Sequence, residues 1–355
     1  VRSTMMGDIQ ETDYALLPIT KAAGAVVEIT QHQGVIINGK IKAVLTEDPW
    51  SKTGTIAYYN QENRLLLEEQ GWHGALNLYA RKFKPILGGD YRLTVSFESQ
   101  EEEKLFGMGQ YQQEVMDLKY CSLELAHRNS QASVPFLLSS RGYGFLWHNP
   151  AVGKVTFGKN VTQWESYSTK QLDYWITAGD TPAEIEEAYA EATGKVPMMP
   201  EYGLGFWQCK LRYWNQEQVL NVAREYKKRN IPLDVIVIDF FHWPRMGDFR
   251  FDEKFFPDPE AMNKELEAMG VKLMVSVWPQ IDLRSENFEE MKERNLLVKP
   301  EMGVNISMTF GGDSLFFDAT NPEARKFVWE KCKKNYYDHG IRIFWLDEAE
   351  PEFGV

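Results

Sequence analysis

Cysteine is scarce: the 355 residues hold three, Cys121, Cys209 and Cys332, far apart and never in a C-x-x-C spacing. That shortage excludes a disulfide framework and a thiolate metal site, and free thiols in a reducing, cytoplasmic setting are expected. The six histidines form no H-x-x-x-H or H-x-H pair, so a metal site is not expected. Basic residues are outnumbered, 39 Lys and Arg against 51 Asp and Glu, for a net charge of -12. Nucleic acids and anionic membrane surfaces select basic patches, so neither is an expected partner. No run of 18 apolar residues and no signal peptide occur. The chain opens at Val1 rather than Met, and a fragment lacking its own N-terminus is expected. No G-x-G-x-x-G follows a strand and no G-x-x-x-x-G-K occurs, which disfavours a nucleotide-binding sheet.

Hydrophobic residues make up 43% and charged residues 25%, an ordinary globular balance with enough chain for two full cores. There are 11 Trp, 16 Tyr and 20 Phe. Most such rings serve cores, but flat rings also match the C–H face of a pyranose, as sugar clefts require.

Residues 1–197 read as all-β. Strands are expected at Ala25–Thr30, Arg64–Glu69, Tyr91–Phe97, Val134–Ser139, Tyr143–Trp147 and Gln171–Thr177. One hairpin turns at Asn38-Gly39 and a second at Ser140-Arg141-Gly142. Many short strands separated by turn signals indicate a β-sandwich. Thr181 caps a short helix that begins at Pro182 and runs to about Thr193. The stretch G-K-V-P-M-M-P (194–200) is the expected domain boundary.

From residue 198 onward short apolar strands alternate with amphipathic helices. Strands are expected at Tyr202–Gln208, Asp234–Ile238, Lys272–Val277 and Ile341–Leu346. Helices are expected from Asn215 to about Arg229, from Asp258-Pro259 to Gly270, from Ser285 to Asn295, and from Asn321-Pro322 to about His339. An irregular stretch precedes Thr320. The pattern β-α-β-α-β-α-β fits the first half of a (β/α)8 barrel, which needs about 250 residues for eight strands.

Barrel active sites form just past the carboxyl ends of strands. Trp207 and Gln208, then Lys210, Arg212, Tyr213 and Trp214, follow the first expected strand. Asp239, Phe240, Phe241, His242 and Trp243 follow the second. Trp278 and Asp282 follow the third. Trp345 closes the fourth, followed by Asp347, Glu348, Glu350 and Glu352. Each has a plainer alternative. Asp239 could cap a loop or pair with Arg245 or Arg250. Asp347 could be solvated, as Glu348 and Glu352 are expected to be. Trp207, Trp278, Phe240 and Phe241 could simply pack, and His242 suits a loop hydrogen bond better than a general base. Four strand ends gathering acids and rings at one mouth is harder to dismiss. Two facing carboxyls at ~5–5.5 Å would suit retaining glycoside hydrolysis, with neighbouring Lys or Arg keeping the nucleophile ionised.

W-L-D-E-A-E-P-E (345–352) resembles the nucleophile motif of glycoside hydrolase family 31. V-I-V-I-D-F-F-H-W (235–243), G-D-F-R-F-D-E-K-F-F-P-D-P (247–259), K-L-M-V-S-V-W-P (272–279) and F-D-A-T-N-P (317–322) are similar to the barrel blocks of that family. G-M-G-Q (107–110) and V-P-F-L-L-S-S-R-G-Y-G-F-L-W (134–147) are similar to its N-terminal, galactose-mutarotase-like sandwich. The resemblance implies a retaining α-glucosidase or α-xylosidase without metal or organic cofactor. It implies Asp347 as nucleophile, Glu350 as support for its loop, and Asp239 as a ligand of sugar hydroxyls. Trp278 and Trp345 would wall the −1 subsite, Phe240 and Phe241 would shape its far side, and Trp207 would join them. The implied acid/base Asp comes from a later strand, past Val355.

The expected partners are therefore an α-linked oligosaccharide and the rest of the same barrel, with a homo-oligomer left open. Bulky Phe240 and Phe241 lean towards xylose, because they leave less room for a CH₂OH group. A non-catalytic carbohydrate-binding fragment or scaffold is the rival. The triplets Asn160-Val161-Thr162 and Asn305-Ile306-Ser307 match a glycosylation signal but carry no weight without secretion. The isolated 355-residue chain is expected to be inactive on aryl α-glycosides, since half a barrel offers half a mouth. Easy turnover of nitrophenyl α-xyloside by this chain alone would contradict that.

Overall fold

The computed structural model describes residues 1–11, 13–18, 24–48, 53–71, 79–299 and 313–350. Glu352 and the triplet Asn305-Ile306-Ser307 fall outside them. The chain divides into two compact units, Val1–Val196 and Pro197–Val355.

The first unit contains three five-stranded antiparallel sheets. One runs Arg2–Thr4, Gln171–Ala178, Tyr143–Trp147, Ala132–Ser139, Leu105–Gln110. The next runs Ser122–Leu125, Gly153–Phe157, Val161–Thr169, Tyr91–Glu98, Arg81–Pro85. A meander of Val26–Ile29, Gln33–Asn38, Ile41–Glu47, Gly54–Tyr59 and Leu65–Glu68 forms the third. All three feed one core. Phe145 of the first sheet meets Phe97 and Trp164 of the second, with ring centroids 5.4 and 5.1 Å apart. A helix over Pro182–Thr193 follows, with Thr181 accepting from the Glu184 amide.

The first hairpin differs in detail from expectation. Asn38 pairs with Ile41, so Gly39 and Lys40 form the turn, and Gly39 supplies the positive φ of 57° that a II′-type turn demands at its first central position. The strands at Gly54–Tyr59, Arg81–Pro85, Leu105–Gln110, Ser122–Leu125, Gly153–Phe157 and Val161–Thr169 were not anticipated. Gly107 and Gly153 explain two of these. They look like breakers, yet a Cβ would stand 2.6 Å from the Phe136 carbonyl oxygen or 1.9 Å from that of Glu165. Glycine is used there for close strand approach.

The second unit contains a four-stranded parallel sheet in sequential order: β1 (Trp207–Lys210), β2 (Val235–Ile238), β3 (Lys272–Val277) and β4 (Ile343–Leu346). Helices α1 (Gln216–Lys228), α2 (Pro259–Ala268), α3 (Phe288–Glu293) and α4 (Pro322–Asn335) lie between them. Asn215, Asp258 and Asn321 cap α1, α2 and α4 through their side chains. The α3 helix is shorter than expected, because Ser285 donates its hydroxyl to Asp248 and shapes a turn ahead of the helix. The stretch expected to be irregular holds Ser314–Phe316, antiparallel to Gln280–Asp282.

The first strand begins later than expected. Glu201–Leu204 forms a 3₁₀ turn and β1 starts at Trp207. The Asp234 carboxylate occupies the place a Cβ would take on Gly205 and accepts the Phe206 amide at 3.0 Å, which ends the turn there. Trp207 therefore opens its strand instead of following it.

The sheet has two distinct faces. Ile236, Ile238, Leu273, Val275 and Val277 pack with Val219 and Leu220 of α1, Met262 and Leu266 of α2, and Phe327 of α4. Val235, Val237 and Met274 pack with Trp207 and Ile343 on the opposite face. The period of two sorts the strand residues between helices and interior.

A buried ion pair in the first unit provides a stability test. Arg81 donates to both oxygens of Glu69 at 2.8 and 2.7 Å, and the Glu69 side chain is 0% exposed. Removing one partner of such a pair strands the other charge, so Arg81→Met is expected to destabilise by about 3 kcal/mol in urea denaturation. A loss below ~1 kcal/mol would show that the fork contributes little.

Candidate active site

The interior-facing parity continues past the strand ends. Asp239 extends the series Val235, Val237. Ser276 and Trp278 extend the series from Met274, and Trp345 and Asp347 extend it from Ile343. All of these expected acids and rings lie on one face of the sheet, at its carboxyl end.

Asp239 is held from three directions. Its Oδ1 accepts the Phe240 amide at 2.7 Å and the Ser276 hydroxyl at 3.1 Å, and the Cys209 thiol lies 3.8 Å from Oδ2. Arg245 and Arg250 do not pair with it; Arg250 binds Glu286 instead. Burial, with the Asp239 charge adding to it, pushes the Cys209 thiol above its ordinary value.

Asp347 follows β4 and extends its ladder, its amide donating to the Val277 carbonyl at 3.2 Å. Trp278 Nε1 donates to Asp347 Oδ2 at 3.1 Å. Trp278 is buried, and Phe240 stacks on it with centroids 4.9 Å apart. Trp243 meets its other neighbourhood edge-on at 5.6 Å. Trp345 is half exposed and meets Trp207 in a T-shaped contact at 6.4 Å. Although Trp207 opens its strand, its ring thus belongs with the interior rings. Phe241 is exposed beside Phe240. Glu350 is half-buried and makes no hydrogen bond to Asp347 among the described residues.

His242 takes the loop role. Its Nδ1 lies 2.9 Å from the Asp239 carbonyl, which can only accept, so Nδ1 carries the proton. Nε2 then accepts from the Tyr336 hydroxyl at 2.9 Å. The ring is a brace that ties the β2 loop to α4. Ser276 is the residue not anticipated from sequence. Its signal was available: it is a hydroxyl within an apolar strand, two positions before Trp278 and so on the same face.

The parallel β/α sheet gathers acids and rings at its carboxyl rim, where folds of this class build their ligand sites. The family model for the glycosyl hydrolases family 31 TIM-barrel domain matches residues 196–354. An uncharacterized family 31 glucosidase, ORF2, from Pseudescherichia vulneris is 51% identical over 99% of this chain and 69% of that protein. An alpha-xylosidase from Saccharolobus solfataricus is 34% identical over 75% of this chain and 36% of its own length. The crystal structure of a GH31 alpha-xylosidase from a soil metagenome, complexed with xylose, is 52% identical with a TM-score of 0.92. It covers 100% of this chain, which spans only 54% of it. The chain belongs to glycosyl hydrolase family 31.

The His242 brace sets a pH dependence. Burial lowers its pKa from 6.5 to about 4. The unfolded chain takes up this proton below about pH 6.5 and the folded one only near 4, so stability present at neutral pH is lost on acidification through that window. The loss amounts to roughly 3 kcal/mol at most. His242→Gln is expected to lower the urea midpoint at pH 7, with the gap to the parent narrowing by pH 4.5. A gap that stays constant with pH would rule out this titration.

Proposed function

We propose that this chain carries the nucleophile and much of the −1 subsite of a retaining α-glycoside hydrolase acting on terminal α-linked xylose or glucose. The observation that carries the proposal is the Trp278–Asp347 hydrogen bond across β3 and β4, with Asp239 on β2 facing the same side. In this proposal the first unit is a β-sandwich and the second is the opening half of an eight-stranded barrel.

Asp347 would attack the anomeric carbon and the leaving-group oxygen would depart with a proton. A water would then release the sugar from the glycosyl-enzyme ester with net retention. The indole N–H engages Oδ2 of Asp347 and would leave Oδ1 to attack. Asp239, with Oδ1 already engaged by Phe240 and Ser276, offers Oδ2 to a sugar hydroxyl. The Phe240–Trp278 stack and the Trp345 ring present flat apolar faces to the pyranose. The acid/base role is assigned to none of the described residues. Glu350 would support the nucleophile loop through backbone position, as no hydrogen bond links it to Asp347.

The relatives named alpha-xylosidase support xylose as the sugar, and so does the bulk of Phe240 and Phe241, packed side by side. One extra CH₂OH shifts selectivity by ~1–3 kcal/mol, so kcat/KM on nitrophenyl α-xyloside is expected to exceed that on the α-glucoside by about tenfold or more in the complete enzyme. Treatment of that enzyme with a fluorinated α-glycosyl inactivator is expected to label Asp347, read by peptide mass spectrometry. Label on another carboxylate would reject the assignment, and no label with no turnover would favour a carbohydrate-binding role.

A further inference from the structure

Arg212, just past β1, is held in an uncommon way. Its guanidinium carbon lies 3.9 Å from the centroid of the Trp214 ring and 5.2 Å from that of Phe241. Both rings are open to solvent, Trp214 at 56% and Phe241 at 44%. Five other arginines of the unit, Arg224, Arg229, Arg250, Arg284 and Arg294, each hold a carboxylate. Arg212 holds none among the described residues. A cation between two ring faces keeps its edge N–H donors free, and those donors match a pair of acceptor oxygens.

The cluster is built rather than draped. The Trp214 amide donates to Gln218 Oε1 at 2.8 Å, and the Gln218 amide donates to the N-cap Asn215, so the loop is clipped to the start of α1. Phe241 packs on Phe240 at 4.3 Å, and Phe240 stacks on Trp278, which holds Asp347. The platform therefore borders the rim where a leaving group would exit. Lys210, the last residue of β1, is a second cation without an ion pair among the described residues and adds to the local positive field.

We propose that Arg212, Trp214 and Phe241 form a leaving-group platform selecting α-glycosides whose aglycone carries a carboxylate or similar anionic oxygen pair. This rests on the glycosidase assignment above and extends it to the departing half of the substrate. The rings supply stacking area and the guanidinium fork supplies the charge-matched, two-point contact.

The test uses the complete enzyme with two near-isosteric substrate pairs, the 4-carboxyphenyl and 4-carbamoylphenyl α-xylosides and the matching α-glucosides. The parent enzyme is expected to prefer the carboxylate in kcat/KM, with a preference that fades as salt rises. Arg212→Gln is expected to cut the carboxyl-to-carbamoyl ratio about fivefold, and Arg212→Lys to retain part of it. Trp214→Ala is expected to lower kcat/KM on both members. A ratio unchanged in Arg212→Gln, or equal losses on both members, would overturn the proposal. Failure of the parent to cleave any of the four glycosides would overturn the glycosidase assignment instead, and the platform with it.

Discussion

A strand presents alternate side chains to opposite faces, and in the second unit that constraint decides everything downstream. One parity of β2 and β3 is spent on Ile236, Ile238, Leu273, Val275 and Val277 against the helices. The other parity is apolar only while it is deep, at Val235, Val237 and Met274, and turns polar or aromatic at the rim, at Asp239, Ser276 and Trp278. Moving one strand by a single residue would exchange the two sets. The helix-facing core would then contain carboxylates, each at several kcal/mol. Core packing thus enforces the orientation of the site, and the groups that hold the sheet together also aim the acids.

A carboxylate at a strand end occupies a narrow window of burial. Fully sunk, it would take up a proton; fully solvated, it would lose the ordered donors that make one oxygen different from the other. Asp239 and Asp347 are half-buried, each with a named donor from the neighbouring strand or its end. The donors are neutral: an amide, a hydroxyl and an indole N–H. Neutral donors orient a carboxylate without neutralising it, which an arginine in the same place would do. Arg250, one of two arginines that could have paired with Asp239, is committed to Glu286, and His242 stays neutral as a brace.

Much of this was legible in the residues. Caps at Thr181, Asn215, Asp258 and Asn321 marked helix starts because each reports a local hydrogen bond. The parallel strands were visible as apolar runs. What escaped notice depended on distant partners. Gly107 and Gly153 read as breakers, yet they lie in strands because a neighbouring carbonyl leaves no room for a Cβ. The start of β1 was missed because Asp234, nearly thirty residues on, ends the preceding turn at Gly205. At the site, Asp239, Trp278 and Asp347 were legible from strand-end position and motif, and the structure joins Trp278 to Asp347 directly. Ser276 required the parity rule to be applied within a strand. Glu350 was suggested by strand-end position and motif, and no hydrogen bond to Asp347 accompanies it among the described residues.

Backbone strain follows the same geography. Phe241 adopts φ 65° and Glu348 φ 56°, two residues past Asp239 and one past Asp347. For a side chain with a Cβ this region costs roughly 1–2 kcal/mol, and glycine would adopt it freely. Neither position carries glycine. At Phe241 the compensation is visible, since its ring packs on Phe240 and lies beside the Arg212 guanidinium. Glycine there would relax the backbone and remove the ring that links the deep stack on Trp278 to the exposed face of Trp214. The chain therefore accepts a local backbone penalty to keep the Phe241 ring between the Phe240–Trp278 stack and the Arg212 guanidinium, which in turn lies on Trp214.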